Sequence, residues 1–121
     1  MDQEFSVWLD KDLQIIRQRF SSNLSREPFL RLVDATAACA VRLRGPRRIR
    51  ILVDVTGMGR PSAQARREMV GALLRPDFAK LAVLGASTFD RILIRFMCVA
   101  AGRHIVRTFA DEEAALQWLV E

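Results

Sequence analysis

Lysine is nearly absent from this chain. Of 19 basic residues, only Lys11 and Lys80 are lysines. None lies between them, which excludes the glycine-rich phosphate loop whose lysine must reach the nucleotide phosphates. His104 is the single histidine, so no pair of imidazoles is available to a metal. The two cysteines, Cys39 and Cys98, stand in apolar helical stretches and match no metal or redox spacing. They read as reduced, buried thiols of a cytosolic protein, and no signal peptide is recognisable at the start. No apolar run approaches the roughly 18 residues of a membrane span. The longest, "ILIRFMCVAAG", is broken by Arg95. Repeats, linkers and low-complexity segments are also lacking.

What is present is an ordinary globular composition. Of 121 residues, 50% are hydrophobic and 27% charged. A chain of this size buries roughly two thirds of its unfolded surface and folds as one domain, here residues 1–121, without staples. The net charge of +5 is almost all arginine, a bias that a GC-rich genome would also produce.

Hydrophobic periodicity orders the elements. "EFSVWL" (4–9) and "LQIIRQRF" (13–20) alternate as strands and are joined by "DKD", which predicts an antiparallel hairpin. In the second strand Ile16, Gln18 and Phe20 share one parity. Ser25 and Pro28 open a helix whose buried stripe is Phe29, Leu32, Val33, Thr36, Ala37, Ala40 and Val41, with Gly45-Pro46 ending it. "RIRILVDV" (48–55) carries three consecutive apolar residues, Ile51 to Val53, as a central strand buried on both faces does. A helix from about Pro61 to Leu74 follows, then a second central strand, "AKLAVLGA" (79–86). A very apolar helix runs from 88 to about 101 and ends at Gly102. "HIVRTF" (104–109) is a strand, and Asp111 caps a final helix. The order is β-β-α-β-α-β-α-β-α, an α/β fold with a mixed five-stranded sheet and right-handed crossovers between its parallel strands.

The strand-to-helix segment "DVTGMGRPSAQAR" (54–66) lies where α/β proteins often bind phosphate. Its chemistry does not follow. Gly57 and Gly59 match two positions of the dinucleotide fingerprint, but Ser62 takes the place of the third glycine and Pro61 removes an N–H. Two readings stand. In one, both glycines take positive φ in a tight turn, Ser62 caps the helix and Asp54 bonds loop amides. In the other, Asp54, Thr56, Gly57, Gly59 and Ser62 form a partner-binding or phosphorylatable rim, with Ser87 and Thr88 nearby. No catalytic set of nucleophile, base and orienting group can be assembled, and no cofactor or metal is called for. The run Arg42, Arg44, Arg47, Arg48 and Arg50 has no interleaved aromatic residue, which argues against nucleic acid.

The helix "STFDRILIRFMCVAAG" (87–102) has Phe89, Ile92, Leu93, Phe96, Met97 and Ala100 as its expected core stripe, with Ile94 and Cys98 outside the centre. So wide an apolar girth suggests a lipophilic pocket or dimer face at Phe89, Leu93, Ile94, Phe96, Met97 and Cys98. A merely wide core stripe is the other reading.

Taken with this element order, "ILVDVTGM" (51–58) and the closing "TFADEEAALQWL" (108–119) resemble the SpoIIAA-like proteins of the STAS superfamily. These are small bacterial domains related in fold to anti-sigma factor antagonists and compared with the CRAL–TRIO lipid-transfer fold. The resemblance implies a STAS-like, non-enzymatic regulatory or protein-interaction domain in the cytoplasm, with a protein partner or a homodimer. The alternative it implies is a carrier or sensor of a lipid-like ligand beside helix 89–101. In anti-sigma factor antagonists the loop after the third strand holds a phosphorylatable serine in an Asp-Ser-Ser-Gly-type motif. Ser62 is the nearest hydroxyl here, without the preceding acid or the following Ser-Gly.

Overall fold

The computed structural model describes residues 5–20, 25–44 and 48–121. Its elements are β1 (Phe5–Asp10), β2 (Ile15–Phe20), α1 (Arg26–Ala40), β3 (Ile49–Asp54), α2 (Ala63–Leu73), β4 (Phe78–Leu84), α3 (Thr88–Ala101), β5 (Val106–Phe109) and α4 (Glu112–Val120). The strands lie side by side in chain order. β1 is antiparallel to β2, and β2 to β5 run parallel. This is the mixed five-stranded α/β sheet that the periodicity predicts.

The β1–β2 turn is longer than "DKD". Asp10 pairs with Ile15, so residues 11–14 form the loop. Asp10 closes it twice: Oδ1 accepts from Leu13 N–H (3.1 Å) and the carbonyl accepts from Gln14 N–H (2.8 Å). Gln14 takes a φ of 56° there, and its Oε1 accepts from Arg44 N–H at 2.7 Å. These local bonds keep Leu13 and Gln14 out of the strand.

Helices cover both faces of the sheet unequally. Ile16, Ile51, Val53 and Val83 face α1, α2 and α3, together with Phe29, Leu32 and Ala65. On the opposite face Ile15, Leu52 and Ala82 meet only α4, through Ala115 and Leu119. The consecutive Ile51, Leu52 and Val53, all 4% exposed or less, therefore alternate between two cores, as a strand buried on both sides must. Leu119 is completely enclosed, a burial worth about 1.5–3 kcal/mol.

Each helix start has its own chemistry. Ser62 Oγ accepts from Ala65 N–H (3.1 Å), and Asp111 Oδ2 accepts from Ala114 N–H (3.1 Å). Ser87 and Asp90 form a reciprocal capping box on α3, which ends at left-handed Gly102. Ser25 is the N-cap residue of α1, but its side chain makes no capping bond. That helix ends at Ala40, leaving Val41 60% exposed; Gly45-Pro46, expected to end it, lie outside the described residues. Leu74 likewise falls beyond α2 and is 56% exposed. Arg103 fastens the α3–β5 connection to the end of α2. Its guanidinium donates to the carbonyls of Leu73 (2.9 Å), Arg75 (2.5 Å) and Phe78 (2.8 Å). β5 starts at Val106, so the exposed His104 precedes the strand it was expected to begin.

Candidate functional site

The loop after β3 brings its named residues to one rim, and most of their polar groups serve the turn itself. Asp54 Oδ1 accepts from the Thr56 N–H (2.9 Å) and the Thr56 hydroxyl (2.6 Å). Partial burial pushes the Asp54 carboxyl up. The two Thr56 hydrogen bonds and the Arg19 charge outweigh that effect, so its pKa lies below the ordinary 3.8. Gly59 takes a φ of 67°, as a tight turn requires. Gly57 does not, contrary to expectation: the Asp54–Thr56 bonds set that part of the turn, and only one left-handed residue is needed. Gly85, at φ 77°, passes so close to Thr56 that a β-carbon would collide with its side chain. Ser62 and Ser87 both hold helix caps, and Thr88 is the first, exposed residue of α3.

The greatest difference from the sequence reading is the rotation of α3. Part of the expected inward stripe points outward: Phe89 is 40% exposed, Ile92 53% and Phe96 70%, and Val99 beside them is 66% exposed. Leu93 and Met97 of that stripe do face inward, and Asp90, Ile94, Cys98 and Ala101 join them. Those residues follow the same helical spacing, so periodicity alone allows either phase. The capping box decides between them. It holds Asp90, 9% exposed, against the Ser87 N–H at 3.2 Å, and this fixes Phe89 on the outer side. The Arg60 guanidinium then lies 4.5 Å over the Phe89 ring, joining the loop to the exposed stripe. Cys98 is buried; burial raises its thiol pKa against an opposing hydrogen bond with the Val106 backbone.

Between the sheet and α1–α3 lies a cavity of about 140 Å³. Its wall includes Leu32 of α1, Met69 of α2, Leu93 and Met97 of α3, and Ile51 and Val83 of the sheet. Leu93, Ile94 and Met97 from the expected pocket set do line it, whereas Phe89, Phe96 and Cys98 do not. The polar side chains on the wall are Gln18, Thr36, Arg75 and Asp90. Gln18 Nε2 donates to Thr36 Oγ1 (2.9 Å), and that hydroxyl donates to the Leu32 carbonyl (2.7 Å). Both residues are buried. A buried carboxamide group left unmatched costs about 1–3 kcal/mol, so Gln18 is an unusual choice for a core strand. Its signal was present in the sequence as the polar member of the inward triplet Ile16, Gln18 and Phe20. A second, much smaller depression of about 30 Å³ lies across β1 to β4 beside Glu112 on the α4 face. It is framed by Trp8, Arg17 and Arg19, with Arg17 paired to Asp10 and Glu112. Among the described residues no cluster of three metal-ligating side chains occurs, and no helix is long and apolar enough to cross a membrane.

The family model for SpoIIAA-like proteins matches residues 15–120. The chain belongs to the SpoIIAA-like family. Its fold is also similar to the crystal structure of an uncharacterised DUF3478-family protein with a SpoIIAA-like fold from Shewanella loihica PV-4. The two share 15% identity and a TM-score of 0.73, covering 98% of this chain and 96% of the other. This likeness shows a SpoIIAA-like fold and carries no ligand or partner with it. No curated protein matches the chain.

Proposed function

We propose that this SpoIIAA-like domain is a non-enzymatic carrier or sensor of a small apolar ligand, held between the sheet and α1–α3. The cavity of about 140 Å³ carries this reading. It is walled almost wholly by hydrocarbon and thioether groups. Three of them, from Met58, Met69 and Met97, can repack around different shapes because methionine is unbranched and flexible. A space close to 150 Å³ is about what benzene needs in an apolar interior. Titration of toluene into the full chain, followed by backbone amide NMR, tests the reading. Saturable shifts centred on Leu32, Met69, Leu93 and Met97 are expected. An unresponsive cavity overturns it.

A second reading is favoured by the outer side of α3. Phe89, Ile92, Phe96 and Val99 form a continuous exposed stripe at intervals of three and four residues, the pattern of a helix seam that meets another helix. The Arg60–Phe89 contact joins the loop after β3 to this stripe. This surface serves a protein partner or a second copy of the chain, as a regulatory STAS domain requires. Light scattering of wild type and Phe96→Ser is the check. Concentration-dependent association that the substitution abolishes supports a second copy; a monomer at every concentration removes it.

A further inference from the structure

Gln18 is the residue that the cavity's apolar wall does not explain. A glutamine carboxamide offers two N–H donors and a carbonyl oxygen with two acceptor sites. One N–H is given to Thr36 Oγ1, whose own proton goes to the Leu32 carbonyl. This relay orients the carboxamide and uses up the threonine proton. The second N–H and the Oε1 atom have no partner among the described residues, although Gln18 is only 8% exposed and lines the cavity. The other polar groups on the wall are differently placed. Asp90 receives the Ser87 N–H in the α3 cap, and Arg75 is paired with Asp77 at the exposed end of α2. Thr36 is spent on Gln18 and Leu32. Gln18 is thus the neutral group on the wall with both a donor and an acceptor to offer.

We infer that Gln18 determines the specificity of this cavity, its carboxamide recognising the hydroxyl of an otherwise apolar, uncharged ligand, a small alcohol or phenol. The inference rests on the apolar-ligand reading above. A hydroxyl donates one hydrogen bond to Oε1 and accepts one from Nε2, which matches the two unfilled positions. Burying an ionised head group against this mostly hydrocarbon wall is costly, and the two charged side chains on the wall are already engaged, Asp90 in the α3 cap and Arg75 with Asp77. The volume suits about six or seven non-hydrogen atoms, the size of benzene and its simplest derivatives.

Phenol and toluene form a matched pair, since they differ by a hydroxyl in place of a methyl group. Both are titrated by NMR into the full chain, as wild type and as Gln18→Leu. The ratio of phenol to toluene affinity should fall about tenfold in Gln18→Leu, with toluene bound at least as well as by wild type. In wild type, independently of how the variant folds, phenol should shift the Gln18 side-chain amide signals and toluene should leave them in place. Toluene binding with an unchanged ratio, or with Gln18 signals indifferent to phenol, overturns the Gln18 assignment and leaves the apolar-ligand reading intact. Failure of both probes to bind wild type overturns that reading and the Gln18 assignment together.

Discussion

The two faces of the sheet are built from similar residues and end in different states. On one face Ile15, Leu52 and Ala82 meet Ala115 and Leu119, and all five are 3% exposed or less. The edge of this contact is fastened by Trp118. Its ring packs against Phe109 at 5.6 Å between centroids, with Lys80 and Arg107 over it, and its carbonyl accepts from Lys80 Nζ at 2.6 Å. One short helix covers this face, and the depression beside it, next to Glu112, is only about 30 Å³. On the other face three helices share the sheet, and they do not close completely. The cavity lies where they meet, and α3, packed on α2 and the β5 edge, leaves its own apolar stripe outside. A single helix on a sheet can settle into dense packing. Three helices must satisfy one another first, and space is left over between them.

This contrast is broken most severely from the closed side. Leu119→Ala should destabilise the fold by about 2–5 kcal/mol, because a fully enclosed contact becomes a void; denaturant unfolding measures it. A loss below about 1 kcal/mol would show that this face relaxes as freely as the other. Ser62→Ala should cost about 1 kcal/mol through loss of the α2 cap, whereas Ser62→Asp should retain most of the stability because its carboxylate can cap the same helix. On the open side, Ala37→Leu adds bulk to the cavity wall. It should raise stability by about 0.5–1 kcal/mol and abolish toluene binding, a combination that no substitution on the α4 face should produce.

The smallest effect concerns Asp54, whose side chain lies at the end of β3. Its folded pKa is below the unfolded value, so its stabilising contribution is complete above the ordinary 3.8 and disappears as the pH falls through the lower folded value. Thr56→Val removes the hydroxyl bond to Oδ1 while leaving the Thr56 backbone bond. The Asp54 titration should move upward, and the chain should lose this contribution at a higher pH during acid unfolding. Carboxyl-carbon NMR titration reads the first effect and fluorescence of Trp8 and Trp118 the second. An unchanged Asp54 titration would assign its lowered pKa to Arg19 and the backbone alone.

The element order was legible because each signal was local. β-branched runs, helix caps and the apolar triplet of β3 report on a few neighbouring residues, and the sheet joins them in chain order. The loop was legible as a turn for the same reason: Ser62 and Asp54 act on atoms two or three residues away. The β1–β2 connection was misjudged by two residues because the carboxylate and carbonyl of Asp10 hold Leu13 and Gln14 in the turn, a use that alternation does not disclose.

The rotation of α3 could not be read in that way. Phe89, Ile92 and Phe96 are more apolar than Asp90, so a rule that buries hydrophobic residues turns the helix to the wrong side. Asp90 is tolerated inside because its carboxylate accepts the Ser87 N–H, and Leu93, Ile94, Met97 and Cys98 are apolar enough to serve as the inner face. The sequence by itself determined the order of strands and helices, the caps of α2 and α4 and the two-sided burial of β3, since these follow from local periodicity and short-range hydrogen bonds. Only the tertiary structure decided which side of α3 faces inward, that a cavity remains beneath α1–α3, and that Gln18 lines it. Those three features arise from how separate helices compete for one sheet face, and that competition is settled by packing among residues far apart in the chain.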